Sequence, residues 1–515
     1  MTMIRQLDEV ANFGAHDADS DALLYQCFDD HEAYQSILTL SKFLILGRKG
    51  AGKTAIFRKL LDTHKSNFLS YGHTFTDYPW EHHAKQKRTG VPEAEAYLHS
   101  WTYLILMSLA KILLNMDQSL PYKDSDMDRL VSVERFVIDS YGSRDPDLTE
   151  IFKPNKILKI KPHLSINLGA VAGGVNIESL SIDNLPRFIP EVNKAVSEHL
   201  LEAANPEHRY HICFDQLDLD FDPHNTDYKQ RLIGLILAAR RLNTRAKEMG
   251  KRILVSIFLR SDIYDILQFE DKNKITENDS TRIEWDTSHT QHTLRELMER
   301  RFTVLLGDNG NRVAWSDVFS GQEMTSRQKQ YDYILARTFS RPRDMIKFCN
   351  EVLSSYKRRA KADAQNHFTN DDILGARSEF SVYLLNEIDD ELHKQLPSYK
   401  KYLELLRAIG FIHFLRGTFD EVHRRRAKEF GIDESASDVL RGLFRFSIIG
   451  FRKTGGRSGG SEWIFSYLEP RMLFDEEATQ LRVHYGLIEV LDLKRPQRAV
   501  AGDSASDDED GGYDV

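Results

Sequence analysis

The sequence is poor in cysteine. It has three, Cys27, Cys213 and Cys349, with no Cys-x-x-Cys pair and no neighbouring histidine ladder. That excludes a disulfide framework and a cysteine-based zinc site. His82 and His83 stand beside Glu81 without a convincing third ligand, so they read as an ordinary polar loop. Long hydrophobic runs are also missing. The most apolar stretch, Trp101 to Leu114, is interrupted by Ser108 and Lys111 and falls short of the roughly 18 uninterrupted apolar residues of a spanning helix, so it reads as a buried helix. The first residues lack the basic-then-apolar pattern of a signal peptide, and Asp8 and Glu9 oppose a transit peptide. The expectation is a cytoplasmic protein without a membrane partner. Positive charge is not in excess: 69 Lys and Arg face 78 Asp and Glu, for a net charge of -9. Much of that deficit sits in Asp503, Asp507, Asp508, Glu509, Asp510 and Asp514, which leaves the body near neutrality. Any nucleic-acid surface must therefore be a local patch. No nuclease, protease or deaminase motif is visible.

With 515 residues, 41% of them hydrophobic and 29% charged, the chain reads as globular and long enough for two to four domains. The apolar run Lys42 to Leu46, the glycine-rich loop after it and the helical spacing of Ala55 to Leu61 give strand, loop, helix. A second extended stretch runs from Ser70 to Thr76. Residues 156–182 alternate apolar positions around Gly169, Gly173 and Gly174, the grammar of a β insertion. Arg209 to Phe214 reads as a buried strand ending in Asp215. A helix from about Tyr228 to Met249 closes at Gly250, and Arg252 to Leu259 forms another strand ending in Arg260. Alternating strands and helices predict an α/β fold with a parallel-sheet P-loop core. Beyond Trp285 the pattern is helical. Three helices near 402–444, then Ile448 to Lys453 and Trp463 to Tyr467 around a glycine-rich turn, predict a winged helix. The expected order is an N-terminal arm (1–20), the core with its insertion (21–305), a helical lid (306–360), a helical and winged-helix domain (361–495) and an acidic tail (496–515).

Gly47, Gly52, Lys53 and Thr54 occupy every defined position of the P-loop pattern. Such a loop turns backbone N–H groups toward anionic phosphates, which glycines permit because they accept positive φ and carry no side chain. Gly47, Arg48, Lys49, Gly50, Ala51, Gly52, Lys53, Thr54 and Ala55 are the expected nucleotide-binding residues. Lys53 would reach the β- and γ-phosphates, and Thr54, opening the helix, would ligate Mg²⁺. Asp215 ends a buried strand and is the second expected metal residue, as in a Walker B site. Position 216 is Gln where Glu is common, so Asp218 is the expected base. Arg260 follows the next strand and would sense the γ-phosphate; the plain alternative is a strand-end arginine paired with Asp262. Arg343, in Ser340-Arg341-Pro342-Arg343, would reach the nucleotide from the helical lid, or else lie on the surface.

These motifs resemble P-loop NTPases of the AAA+ and STAND superclass over about residues 21–349. The C-terminal part resembles, more weakly, the winged helix of archaeal origin-recognition initiators. Within the resemblance Arg260 takes the sensor-1 position, and Arg341-Pro342-Arg343 resembles the Gly-x-Pro-Arg sensor-2 motif with Ser340 in place of glycine. Leu46 to Ala55 together with Phe258 to Tyr264 is similar to a little-studied bacterial P-loop ATPase family that accompanies antiviral defence genes. ATP and Mg²⁺ are the cofactors this implies.

Three functions stay open on these residues. One is a hydrolysing ATP switch controlling assembly of a homo-oligomer or a partner effector protein. Another is an ATP-dependent DNA-binding initiator or loader, using Arg452, Lys453 and Arg457 in the wing with Arg424, Arg425, Arg426 and Lys428, although winged helices also bind proteins. The third is a non-hydrolysing nucleotide scaffold, motivated by Gln216.

Overall fold

The computed structural model describes residues 5–63, 65–74, 93–119, 126–147, 157–159, 179–181, 185–218, 221–287, 290–308, 310–359, 366–455 and 460–495. His82, His83, Asp220, Arg457, most of the 156–182 insertion and the acidic tail lie outside them. By contacts the chain divides into two units: Asp30–Arg48 with Lys53–Ile283, and Met1–Asp29 with Lys49–Gly52 and Glu284–Val515.

The first unit contains α1 (Glu32–Leu38), β1 (Leu44–Gly47), α2 (Lys53–Leu61), β2 (Phe68–Thr74), α3 (Glu93–Asn115), α4 (Met127–Tyr141), β3 (Ile157–Lys159), β4 (Ser179–Ser181), α5 (Leu185–Ala203), β5 (Arg209–Asp215), α6 (Thr226–Glu248), β6 (Arg252–Arg260), α7 (Ser261–Ile266), α8 (Lys272–Asn278) and β7 (Ser280–Arg282). Five strands form one sheet in the order β2-β5-β6-β1-β7, every pairing parallel. Parallel strands need crossover connections, and the helices between them supply these. In β5 and β6 every residue after the first is buried, as expected of strands covered on both faces. The Asn225 side chain caps α6 by accepting from Tyr228 N at 3.2 Å, and Gly250, at φ +68, follows its end.

Helix α3 is the apolar segment singled out by composition. Its stretch Tyr97–Asn115 is long and apolar enough to cross a membrane, yet 83% of it is buried within the protein. Trp101, Leu104, Ile105 and Leu109 have no exposed surface, and Trp101 Nε1 donates to Arg231 O of α6 at 2.9 Å. The two helices approach so closely that a Cβ on Gly234 would lie 2.7 Å from Tyr97 Cβ. The insertion contributes one described feature, the antiparallel pairing of β3 with β4.

The second unit continues with α9 (Leu294–Leu306), α10 (Trp315–Val318), α11 (Gln330–Leu335), α12 (Pro342–Arg359) and α13 (Asn370–Leu392). The sequence-based border at 305/306 falls at the end of α9, whereas the contact division falls at 283/284. Helix α9 belongs with the helical unit because Phe302 packs edge-on to Phe13 and against Trp315 and Phe319. The N-terminal arm belongs there too. Leu7 and Phe13 are buried, Phe13 N donates to Asn350 Oδ1 at 2.7 Å, and Arg301 pairs with Asp21 at 2.6 Å. Ala22 to Gln26, which include Leu23 and Leu24, form turns.

The C-terminal part is α14 (Tyr399–Ile409), β8 (His413–Leu415), α15 (Arg416–Phe430), α16 (Ala436–Arg445), β9 (Ile449–Thr454), β10 (Ser461–Ile464) and β11 (Gln480–Val483). Helix, strand, helix, helix and hairpin make a winged helix. Its antiparallel sheet has the order β10-β9-β11-β8. Strands β8 and β11, of three and four residues, are too short to show an alternation in sequence.

Candidate functional site

The strand order decides which residues meet in the first unit. β6 separates the P-loop strand β1 from β5, and all three end at one edge because they run parallel. Gly47, the last residue of β1, is in register with Arg260, the last residue of β6, while β5 ends in Asp215. The carboxyl edge of an open parallel sheet is where ligands bind.

From Gly47 the chain enters the loop, where Gly50 and Gly52 adopt φ +79 and +112, values that a residue with a Cβ rarely takes. Helix α2 begins at Lys53. Lys53 Nζ donates to the carbonyls of Gly47 and Arg48 at 3.0 and 2.9 Å. Burial lowers its pKa, opposed by the carboxylates of Asp218 and Asp215. Ala55 lies in the same first turn.

Asp215 is 2% exposed. It accepts from the Thr54 hydroxyl and from the Gln216 backbone, yet burial still raises its pKa to about 6. Its Oδ2 has no hydrogen-bond partner. Gln216, the next residue, takes φ +57, a costly conformation for a side chain of this kind and one that clusters at functional sites. Arg260, 8% exposed, forks onto Asp262, with Nε to Oδ1 at 3.1 Å and Nη2 to Oδ2 at 2.7 Å. Its Nη1 reaches Asp218 Oδ2 at 3.3 Å. The pairing with Asp262 is therefore present, and the same guanidinium also holds Asp218.

The loop tip, Lys49–Gly52, groups with the second unit, and its partners there were not legible in sequence. Trp285 Nε1 donates to Ala51 O at 3.0 Å. Arg341, 1% exposed, donates from Nη1 to Lys49 O at 2.8 Å and to Glu391 Oε1 at 2.7 Å, and from Nε to Asp344 Oδ2 at 2.7 Å. Burial alone would lower its pKa; Asp344 and Glu391 outweigh that and hold it protonated. Lys49 Nζ turns to Asp390 at 2.8 Å and Glu387 at 3.4 Å. Arg343, the expected lid cation, instead pairs with Glu387 at 2.9 Å and donates to His16 O at 3.2 Å. It also lies against Gly50, where an added Cβ would meet its own Cβ at 3.0 Å.

Ser340 sits at φ +47. The position that carries glycine in the resembling motif has kept the left-handed backbone without the glycine. The spacing of Glu387, Asp390 and Glu391 places them on one helix face, a pattern that solvated acids share and that does not by itself mark a partner.

Two of the C-terminal basic residues are paired with acids. Arg425 pairs with Glu421, and Arg426 with Glu429 at 2.6 Å, on the same helix. Arg452 donates to Ser461 Oγ at 2.9 Å and Gln480 Oε1 at 3.0 Å. Lys453 is opposite Glu462 in the hairpin register.

Fold and site together define an α/β parallel-sheet P-loop core followed by a helical, winged-helix region. Residues 292–389 match the family described as FunZ-associated C-terminal helical domain. The chain is 24% identical over 413 residues to the "Putative transposon gamma-delta 80.3 kDa protein" of Escherichia coli (strain K12), covering 77% of this chain. It spans 54% of that relative's length. Two solved structures, the Aeropyrum pernix Orc1 protein in complex with DNA and Cdc6p from Pyrobaculum aerophilum, are similar at 13% identity, each over 95% of this chain and 97% of theirs. Their TM-scores are 0.36 and 0.29.

Proposed function

We propose that this chain is an ATP-binding switch of the AAA+ type with slow ATP hydrolysis. The observation that carries the reading is Asp215: a buried carboxylate bonded to Thr54, with one oxygen unpartnered, at the sheet edge that also holds Gly47 and Arg260. Burying an anion with an unanswered oxygen is costly unless a cation compensates. Thr54 and Asp215 fit Mg²⁺ as a hydroxyl and a carboxylate, a hard oxygen donor set. Mg²⁺, when bound with nucleotide, supplies neutralisation of phosphate charge. Lys53 and the N–H groups of the loop bind the phosphates. Asp218 takes the proton of the attacking water, and Arg260 fixes the orientation of Asp218 through their ion pair.

The test is nucleotide titration and phosphate release with wild-type protein and Lys53→Ala. Equal ATP binding by the two proteins overturns the site. A second reading, a nucleotide scaffold without turnover, is favoured by Gln216 and by the engagement of Asp218 with Arg260; wild-type protein that binds ATP and releases no phosphate selects it. A role in antiviral defence rests on the resemblance of Leu46 to Ala55 and Phe258 to Tyr264 alone. Equal phage plating on cells carrying wild-type protein and Lys53→Ala would remove it.

A further inference from the structure

The second unit runs two struts from the loop tip to one short segment of the winged helix, residues 484–490. The first is the turn 337–341. At one end Arg341 holds Lys49 O. At the other, Thr338 O pairs with His484 Nε2 at 3.1 Å in the interior, and the Phe339 ring lies 4.5 Å from His484 and 5.4 Å from Tyr467. Gly486 abuts Arg337 so closely that a side chain there would collide with the Arg337 carbonyl. The second strut is α13. Near its end Glu387 and Asp390 hold Lys49 Nζ, and Glu391 holds Arg341. Two to three turns earlier, Ser381 Oγ accepts from Val490 N at 3.0 Å and Arg377 pairs with Glu489 at 3.3 Å.

We infer that Arg341 is a positioning residue for the P-loop backbone, and that through it and α13 the phosphate site is coupled to residues 484–490 of the winged helix. This rests on the P-loop reading above. The Lys49 carbonyl and the Gly50 N–H belong to one rigid peptide plane. Holding the carbonyl sets where that N–H points, and inward-pointing N–H groups are what a phosphate-binding loop requires. A phosphate that favours one orientation of this plane acts on Arg341, and thus on Glu391, Asp344 and the turn that grips His484. The coupling is reciprocal, so loosening the segment 484–490 alters nucleotide affinity by the same factor.

The experiment is amide hydrogen exchange on the full chain, with and without Mg²⁺ and a non-hydrolysable ATP analogue, for wild type, Glu391→Gln, Glu387→Gln/Asp390→Asn and Arg377→Gln. Glutamine and asparagine keep a hydrogen-bonding group and similar size, so folding is retained. The expected result is a nucleotide-dependent change of about fivefold or more in exchange over residues 484–490 of the wild type, the low end of ordinary coupling factors. That change shrinks in Glu391→Gln and Glu387→Gln/Asp390→Asn while the analogue still binds, and Arg377→Gln shifts affinity for the analogue. Wild-type protein that binds the analogue with unchanged exchange at 484–490 overturns the coupling and leaves the P-loop reading intact. So does a full response in both acid variants together with unaltered affinity in Arg377→Gln. Wild-type protein that does not bind the analogue overturns the P-loop reading, and the coupling with it.

Discussion

Two clusters of charge draw on the same glycine-rich loop and are partnered differently. On the helical unit, Lys49, Arg341 and Arg343 each have a carboxylate at 2.9 Å or less, so opposite charges are paired even though Arg341 Nη2 and Asp344 Oδ1 make no hydrogen bond. At the sheet edge, Asp215 keeps an unpartnered oxygen and has its pKa pushed up by burial, while Lys53 makes do with loop carbonyls. A cluster whose charges are answered by neighbours is a fastening, because its interactions are already made. A cluster that buries charge without answering it is, on the function proposed above, the place where an opposite charge binds. Lys49 and Lys53 are four residues apart in one motif and fall on opposite sides of this distinction.

The sharpest way to break the comparison is Lys53→Ala, which should weaken ATP binding by about 10- to 100-fold, since losing a hydrogen bond to a charged phosphate costs about 1.5–3 kcal/mol. Fluorescent-nucleotide titration reads it, and an unchanged Kd would make the edge cluster a fastening as well. Next, Asp218→Asn should slow phosphate release by about 10² to 10⁴-fold with ATP affinity nearly intact; normal turnover would move the base elsewhere. Arg341→Ala tests the fastening directly. It leaves Asp344 and Glu391 without their cation, which should cost about 3–5 kcal/mol in denaturant melts; a loss under 1 kcal/mol would show that the cluster holds little.

Asp215 supplies a pH-dependent contrast. Its folded pKa, about 6, lies above the ordinary value, so its contribution favours the folded state below about pH 4 and is lost as pH rises through 6. In nucleotide-free protein, Asp215→Asn should gain on wild type between pH 4 and 8, by up to about 3 kcal/mol from that shift. A pH-independent difference would mean that Asp215 is not strained by burial. The smallest effect is Ser340→Gly, which should stabilise by about 1 kcal/mol by relieving the left-handed conformation at Ser340. A melting temperature at or below that of wild type would show that the left-handed backbone at Ser340 is not strained; the bond from Ser340 N to Thr338 Oγ1 is made by the backbone and is kept in the variant.

Local chemistry wrote much of this protein in the chain itself. The P-loop was legible because its demand is local: glycines at positive φ, a lysine and a threonine at the head of a helix. Strands β5 and β6 were legible because burial on both faces leaves continuous apolar runs, and Asp215 and Arg260 stood out as the charges ending them. The acid cluster of α13 was not. Glu387, Asp390 and Glu391 look like a solvated helix end, and their partner Lys49 lies more than three hundred residues away. Nor could sequence divide the arginines of Ser340-Arg341-Pro342-Arg343, where the structure buries Arg341 against Lys49 O and gives Arg343 to Glu387 and His16. Which of two cations in one short motif grips the loop depends on a helix direction and a turn at φ +47. Tertiary packing sets both, since no pattern of residue types records what lies across from a side chain once the chain has folded back on itself.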